Sequence, residues 1–439
     1  MEFAECKTHL FVLLWVAGGV VKVSDVFVPG GLPKYTYFPR TEIGLEGQVA
    51  VARDNLCKIL TVTGATKSGK TVLTRRLFPS DQSVWLDGGL IHNLDEFWDL
   101  ISDQLEVIIE QSESAIDRTD SEEGLDLSIE ANVLVAKGGG KYGRKTAAGK
   151  TQSITQRTAV SAKAQVIRVL REKHTPVVID DFHYISRELQ GQITRILKPL
   201  VFEGVPIIYL AIPHRRFDAI KVEREMNGRV QNVLVPMWSI DELSGIAQLG
   251  FPLLNIDPDP IVSIRLAGEA QGSPHLMQEF CKQMCYQSGV MESSNVSRRV
   301  NASFPYEEIY KGVAHDLGRN IFDKLARGPR TRTDRKQRTL RNGKKADIYR
   351  VVLLALADLR PSVETIEYEP LRASIRSVLN DSLPQAHEVS RVLEHMARIS
   401  STDESSVPVI DYEKAERKLH VTDPFFAFFL RWGRHLIDA

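Results

Sequence analysis

The residues Gly64-Ala65-Thr66-Lys67-Ser68-Gly69-Lys70-Thr71 follow an apolar run and lead into a helical pattern. Two glycines at this spacing let the backbone curl so that several N–H groups point inward at one anion. The helix that follows adds the positive end of its dipole. Lys70 is suited to neutralise β- and γ-phosphates, and the Thr71 hydroxyl to ligate Mg²⁺. Ala65, Thr66, Lys67, Ser68 and Val72 complete the turn around the phosphates. A metal-bound nucleotide also needs a carboxylate at the end of a neighbouring strand, and "PVVIDD" supplies two. Asp180 is expected to hold the metal, directly or through water. Asp181 is expected to orient and deprotonate an attacking water. The alternative is an Asp pair that caps the helix after it. Two acids favour hydrolysis over mere carriage, so the expectation is an Mg²⁺-dependent ATPase that binds ATP and ADP.

These residues need elements to hold them. "ILTVTG" is short, β-branched and ended by a glycine, which reads as a buried strand. "SVWLDGG", "PVVIDDF" and "VPIIYLAI" read the same way. Helical patterns separate them: from Gly69 to the stop at Pro79, after the capping pair Asn93 and Glu96, over Ala162–Glu172, and over Arg187–Phe202. Strands alternating with helices indicate an α/β fold with a parallel sheet. From about residue 112 to 160 the chain is rich in Ser, Thr, Gly and Lys and reads as a flexible insertion carrying a hairpin. Its "GKYGRKT" and "AAGKT" lack a preceding strand and are assigned no site. Beyond Ile240 the pattern is helical. The last 90 or so residues add the short strands "VPVIDY" and "KLHVTD" and end in "DPFFAFFLRW".

Composition bounds the rest. A chain of 439 residues suggests about two or three domains. Lys+Arg and Asp+Glu are equal at 56 each, so attraction to nucleic acid or anionic lipid has to be local. Cys281 and Cys285 lie one helical turn apart without a second pair, and read as buried thiols in a reducing cytoplasm. The apolar Leu10–Val21 is too short to span a bilayer, which takes about 20 residues. Its length fits a signal-peptide core, but a secreted chain would have no ATP to use. It reads as a packed N-terminal element or as residues upstream of the natural start, with a membrane- or partner-contacting segment as the alternative. A membrane is not an expected partner.

The motif order, "FPRTE", "GATKSGKT", "VVIDDFH", "VPIIYLAIP" and "NGRVQNVLVP", resembles AAA+-type P-loop ATPases of the additional-strand class. The resemblance covers residues 35–290 and implies a central sheet in the order 5-1-4-3-2. It implies that Arg40 and its neighbours line an adenine pocket. "GSPHLMQ" resembles the Gly-x-Pro turn of STAND ATPases, the NACHT and NB-ARC relatives. There Pro274 would pack near the base and report nucleotide state to the lid. His275 stands where initiator-type AAA+ proteins place an arginine, which favours the STAND likeness. The C-terminal "VIDYEKAERKLHVTDPFFAFFLRW" is similar to winged-helix ends of prokaryotic STAND-like ATPases. Arg229 stands where the family often carries an arginine finger; a solvated arginine before a strand is the other reading. His214, Arg215 and Arg216 follow the strand where the family puts a phosphate sensor, without its usual small polar residue. His420 could mimic the winged-helix histidine that contacts ADP, or be an ordinary edge-strand histidine.

The implied organisation is an extension (1–34), an ATPase core (35–238), a helical lid (239–322), a basic linker (323–345) and a winged helix (346–439). The basic stretch Arg327–Lys345 has a single acid, Asp334, and no aromatic to stack bases. It reads either as a contact to DNA or RNA phosphates, with the winged helix, or as a solvated linker. Two functions follow. One is a STAND-like switch that self-associates with ATP and signals to a separate protein effector or sensor partner, as in prokaryotic antiviral defence. The other is a DNA-handling AAA+ ATPase, like transposition helpers or replication initiators.

Overall fold

The computed structural model describes residues 20–54, 57–105, 163–212, 228–301, 303–329, 335–400 and 408–433. The insertion at 112–160, most of Leu10–Val21, the triplet His214–Arg216 and residues 330–334 of the basic stretch lie outside the described residues. Among the described residues no helix is long and apolar enough to cross a membrane.

Strands β1 (Ile59–Gly64), β2 (Val84–Asp87), β3 (Val177–Asp180), β4 (Ile207–Ala211) and β5 (Val230–Val235) form one parallel sheet in the order β2-β3-β4-β1-β5. This is the expected 5-1-4-3-2 order. Asp87 is opposite Asp180 in the β2–β3 ladder, and Val177 is opposite Ile207 in the β3–β4 ladder. β1, β3 and β4 are buried along almost their whole length, which is why they read as continuous apolar runs rather than alternating ones. Helix α1 (Lys70–Leu77) follows β1 after a five-residue turn.

The chain divides into two compact units. One holds the described residues of 49–61 and 74–232, with helices α2 (residues 94–105), α3 (residues 163–173) and α4 (Arg187–Phe202). Asn93 Oδ1 accepts from the Glu96 N–H at 2.9 Å, and Glu96 Oε2 accepts from the His92 N–H at 2.8 Å, so the expected pair does start α2. Phe97, Ile101, Ile193, Leu197 and Ile207 fill this unit's core.

The other unit holds the described residues of 1–48, 62–73 and 233–439. After β5 come α5 (Ile240–Gly250), α6 (Pro260–Glu269), α7 (Pro274–Gln287) and α8 (Tyr306–Arg327), with β6 (Ile256–Pro258) parallel to β7 (Arg298–Val300). A hairpin of β8 (Arg338–Thr339) and β9 (Lys345–Ala346) follows. Then come α9 (Ile348–Leu359), β10 (Thr365–Glu367), α10 (Tyr368–Val378), α11 (Ala386–Ser400), β11 (Ile410–Glu413), β12 (Lys418–Val421) and α12 (Pro424–Trp432). Most of these helices start on a side-chain cap: Ser239, Asp259, Ser273, Asp347 and Asp423 each accept from a first-turn N–H. The sheet order β10-β12-β11 makes β12 the middle strand. His420 is therefore not an edge-strand histidine, and its Nδ1 lies 2.9 Å from Thr365 Oγ1 on β10.

Cys281 and Cys285 are buried free thiols on α7. Burial pushes the Cys285 thiol up to about 12 and holds Cys281 well above the usual range. Among the described residues no cluster of His, Cys, Asp or Glu could hold a metal by itself.

Candidate functional site: the phosphate loop and its supports

The turn between β1 and α1 is built around two glycines. A Cβ on Gly64 would lie 2.5 Å from the Val235 carbonyl oxygen, so β5 runs too close for any side chain. Gly69 has φ +91°, a conformation that only glycine adopts cheaply. Between them Lys67 also takes a left-handed conformation, φ +60°. Lys70 is buried, and its ammonium donates to the carbonyls of Gly64 (2.9 Å) and Ala65 (2.8 Å) across the turn. Thr71 and Val72 are half-buried in the first turn of α1.

Two hydroxyls in this turn, Thr66 Oγ1 and Ser68 Oγ, are buried without a hydrogen-bond partner among the described residues. Native proteins rarely leave such groups unmet. A phosphate seated in the turn would offer both hydroxyls an acceptor and the Lys70 ammonium a counter-charge. The donor set therefore fits a polyphosphate, and Thr71 is of the right chemistry to ligate Mg²⁺.

Arg40, expected at an adenine pocket, is buried and fully engaged. Its Nε and Nη2 grip Glu242 at 2.7 and 2.9 Å, while Nη1 and Nη2 donate to the carbonyls of Pro236 (2.8 Å) and Met237 (3.1 Å). Its guanidinium lies 5.0 Å over the Trp238 ring. Glu242 also completes the capping box of α5 with Ser239. Burial alone would raise the Glu242 carboxyl, but the bonds from Arg40 and Ser239 outweigh it and hold the group below the usual range.

The Gly272-Ser273-Pro274 turn starts α7 beside the same loop. Pro274 Cγ is 3.8 Å from where a Gly69 Cβ would be, and Ser273 Oγ is 3.5 Å from the Lys67 carbonyl oxygen. Pro274 thus packs on the phosphate loop. His275 is wedged between Gly30 and the Phe425 ring, whose centroid is 4.8 Å away. Burial, helped by the Lys67 charge and opposed by Asp423, lowers its pKa to about 4.

Lys67 itself reaches the C-terminal helix. Its Nζ is 2.7 Å from Asp423 Oδ2 and 3.6 Å from the centroid of Phe425. Asp423 Oδ1 meanwhile accepts from the Phe426 N–H and caps α12. The far end of α12 is tied as well: Arg431 contacts both Glu269 oxygens at 3.1 Å, and Trp432 Nε1 donates to Glu269 at 2.8 Å.

In the other unit, Asp180 ends β3 and Asp181 follows with φ +49°. Asp180 Oδ1 accepts from the Asp181 N–H at 3.0 Å. Asp181 gives no side-chain cap to the 3-10 turn after it, and α4 is capped by Ser186. The helix-capping alternative for the acid pair is therefore not what the fold uses. The Asp181 carboxylate is nearly half exposed and lies 4.0 Å from His183 Nδ1. Arg229 precedes β5, with its guanidinium 5.8 Å over the Phe202 ring and its carbonyl accepting from Ile59 N–H.

Type and spacing give no sign of Trp238, Glu242 or Asp423 at this site, and show Lys67 only as a member of the turn. The capping box "SIDE" and the cap "DP" are readable as helix starts, but not as groups that meet the loop or its supports.

No protein-family model and no curated protein matches the chain. Solved structures do. A Walker-type ATPase of Pyrococcus abyssi superposes with a TM-score of 0.50 at 14% identity, covering 90% of this chain and 96% of its own. The ORC2 protein of Aeropyrum pernix in its ADP form gives 0.48 at 13% identity, covering 96% and 98%. A STAND protein with a tetratricopeptide repeat sensor from Pyrococcus horikoshii gives 0.32 at 15% identity, covering 90% of this chain and 44% of its own. Of these three only the first reaches 0.50, and at such identity it bears on the fold alone. Sheet order, phosphate turn and that superposition agree: the chain has the α/β fold of the P-loop nucleoside triphosphatases.

Proposed function

We propose that the protein is an Mg²⁺-dependent ATPase that works as a nucleotide-controlled switch. Its phosphate loop binds ATP or ADP, and its C-terminal helix reads the state of that loop. The observation that carries the switch is the Lys67–Asp423 ion pair, which ties the loop to the start of α12. A polyphosphate arriving in the turn competes with Asp423 for the Lys67 charge.

Magnesium, when bound, would neutralise phosphate charge, with Thr71 and Asp180 as the residues assigned to it. Lys70 would leave the Gly64 and Ala65 carbonyls for the phosphates. Asp181 is assigned to orient and deprotonate the attacking water, and its exposure suits that task. Arg229 is assigned the arginine-finger role toward a neighbouring copy. We read the C-terminal order α9-β10-α10-α11-β11-β12 as a winged helix. In the STAND-like version of this reading, the ADP form is closed and the ATP form self-associates and signals to a protein partner in the cytoplasm.

Analytical ultracentrifugation tests the switch. A single small species with ADP, and a larger one with a non-hydrolysable ATP analogue, is the expected result. Asp423→Asn should favour the larger species at lower analogue concentration. Identical sedimentation with both nucleotides, for wild type and variant, would overturn it.

A second reading, DNA handling, draws on one feature. The turn of the β8–β9 hairpin exposes Arg341, Lys344 and Lys345.

A further inference from the structure

Trp238 stands between β5 and α5 and belongs to neither element. Its indole Nε1 donates to the Ser68 carbonyl oxygen at 2.8 Å. Its backbone N–H donates to Gly272 O at 3.2 Å, and its ring is 3.9 Å from where a Gly69 Cβ would be. Arg40 holds the two carbonyls before it and lies over its ring, and the Phe38 ring centroid is 6.5 Å from that of the indole. The indole is therefore fixed before it meets the loop.

The bond it makes has a geometric consequence. The chain has no cis peptide bond among its described residues, so the Ser68–Gly69 peptide is trans. In a trans peptide the C=O and the following N–H point in opposite directions. Fixing Ser68 O on the indole therefore aims the Gly69 N–H away from Trp238. Backbone N–H groups of this turn are what a P-loop presents to phosphate. Gly69, at φ +91°, has no side chain to restrain that peptide, so an external restraint is needed to keep it from flipping.

We infer that Trp238 is a positioning residue for nucleotide binding: its indole N–H sets the Ser68–Gly69 peptide so that the Gly69 N–H faces the phosphates. The inference rests on reading the turn as a nucleotide site. Trp238 lies on the segment leading into α5, so displacement of that segment withdraws the donor and weakens the phosphate cradle. Neither Trp238 nor its bond touches the reacting atoms, and its effect is on affinity for ADP and ATP alike.

The test is calorimetric ADP binding to the full chain, with thermal unfolding measured beside it. Trp238→Phe removes the N–H and keeps an aromatic ring; Trp238→Leu, which also has no donor, takes its place where the Phe variant does not fold. Removing one hydrogen bond should raise Kd about three- to tenfold. Turnover should show a raised KM with little change in kcat, since the bond serves ground and transition states equally. Phe251→Leu, in the core of the same unit and away from the loop, controls for reduced stability: a similar fall in Tm should leave Kd within twofold of wild type. A Trp238→Phe Kd within twofold of wild type overturns the inference, as does an equal rise in Phe251→Leu. A wild type that binds no adenine nucleotide overturns the nucleotide-site reading itself, and is told apart because no variant is needed to see it.

Discussion

Lys67 and Asp423 are 356 residues apart in sequence and 2.7 Å apart in space. One carboxylate oxygen holds the lysine and the other caps α12. The two tasks can be separated by substitution. Asp423→Asn keeps an oxygen for the cap and loses the charge; Asp423→Ala loses both. The pair is partly buried, so its coupling should exceed the surface median of about 0–1 kcal/mol. A double-mutant cycle with Lys67→Met, read by urea denaturation, should give about 1–2 kcal/mol. Asp423→Ala should cost about 1 kcal/mol beyond Asp423→Asn, the usual worth of an N-cap. A coupling near zero would leave Lys67 and Asp423 as neighbours without an energetic link.

His275 faces Lys67, Asp423 and the Phe425 ring, and its pKa is depressed to about 4 from 6.5. The folded state therefore binds fewer protons than the unfolded state between those values. By linkage, stability should rise with pH from about 4 to 6.5 and be insensitive to this group above that window. His275→Gln should flatten this part of the profile while leaving stability at pH 8 less affected. Parallel stability–pH curves for the two proteins across pH 4–6.5 would show that His275 does not titrate as described.

The local chemistry is legible in the sequence because it is local. A β-branched run, a glycine turn and a Lys-Thr helix start are contiguous, while the strand order comes only with the family likeness that the motif series carries. The acid pair at Asp180 and Asp181 can be placed at a strand end for the same reason. What is not legible is who holds whom. Likeness puts Arg40 at an adenine pocket, and no pattern in its own neighbourhood points to Glu242, 202 residues on. His420 reads as an edge residue because strand pairing order in a three-stranded sheet is set by tertiary contact, not by the strand's own composition. The charge of the Arg327–Lys345 stretch is legible, but not which of its arginines the fold consumes.

Lys70 and Asp181 should fail in different ways. Lys70→Ala removes the charge buried at the centre of the turn and leaves the Gly64 and Ala65 carbonyls without that donor. Calorimetry should show no ADP or ATP binding at concentrations that saturate wild type. Asp181→Asn keeps a residue tolerant of the left-handed φ of +49°. It should bind Mg-ATP within about threefold of wild type and release phosphate at least about 100-fold more slowly, as expected for removal of a general base. Wild-type phosphate release by Asp181→Asn would remove Asp181 from the proposed chemistry.

The last prediction concerns the basic stretch, whose cations do two different jobs. Arg335 is structural: it contacts Asp347 at 2.6 Å, the carbonyls of Arg327 (2.6 Å) and Pro329 (2.9 Å), and the Tyr349 ring at 4.5 Å. Arg338 is buried, 3.4 Å from both Glu388 carboxylate oxygens. Neither is a surface charge waiting for a phosphate. Arg341, Lys344 and Lys345 are exposed around the hairpin turn, and the hairpin is stitched to the end of α10 through Arg341 N–H to Val378 O and Asn380 N–H to Thr339 O. If DNA is a partner, these three residues set the salt dependence and Arg335 does not. Changing all three to Ser should flatten the log–log salt slope for duplex DNA by up to about 0.9 for each phosphate no longer neutralised, with little dependence on sequence. Arg335→Ser should instead destabilise the fold by about 2–4 kcal/mol, because it strands Asp347 half-buried without its partner. Fluorescence anisotropy of labelled duplex across several salt concentrations, beside thermal unfolding, separates the two effects. Absence of wild-type binding near physiological salt, with and without ATP, would retire the DNA-handling reading and leave the hairpin charges as a solvated turn.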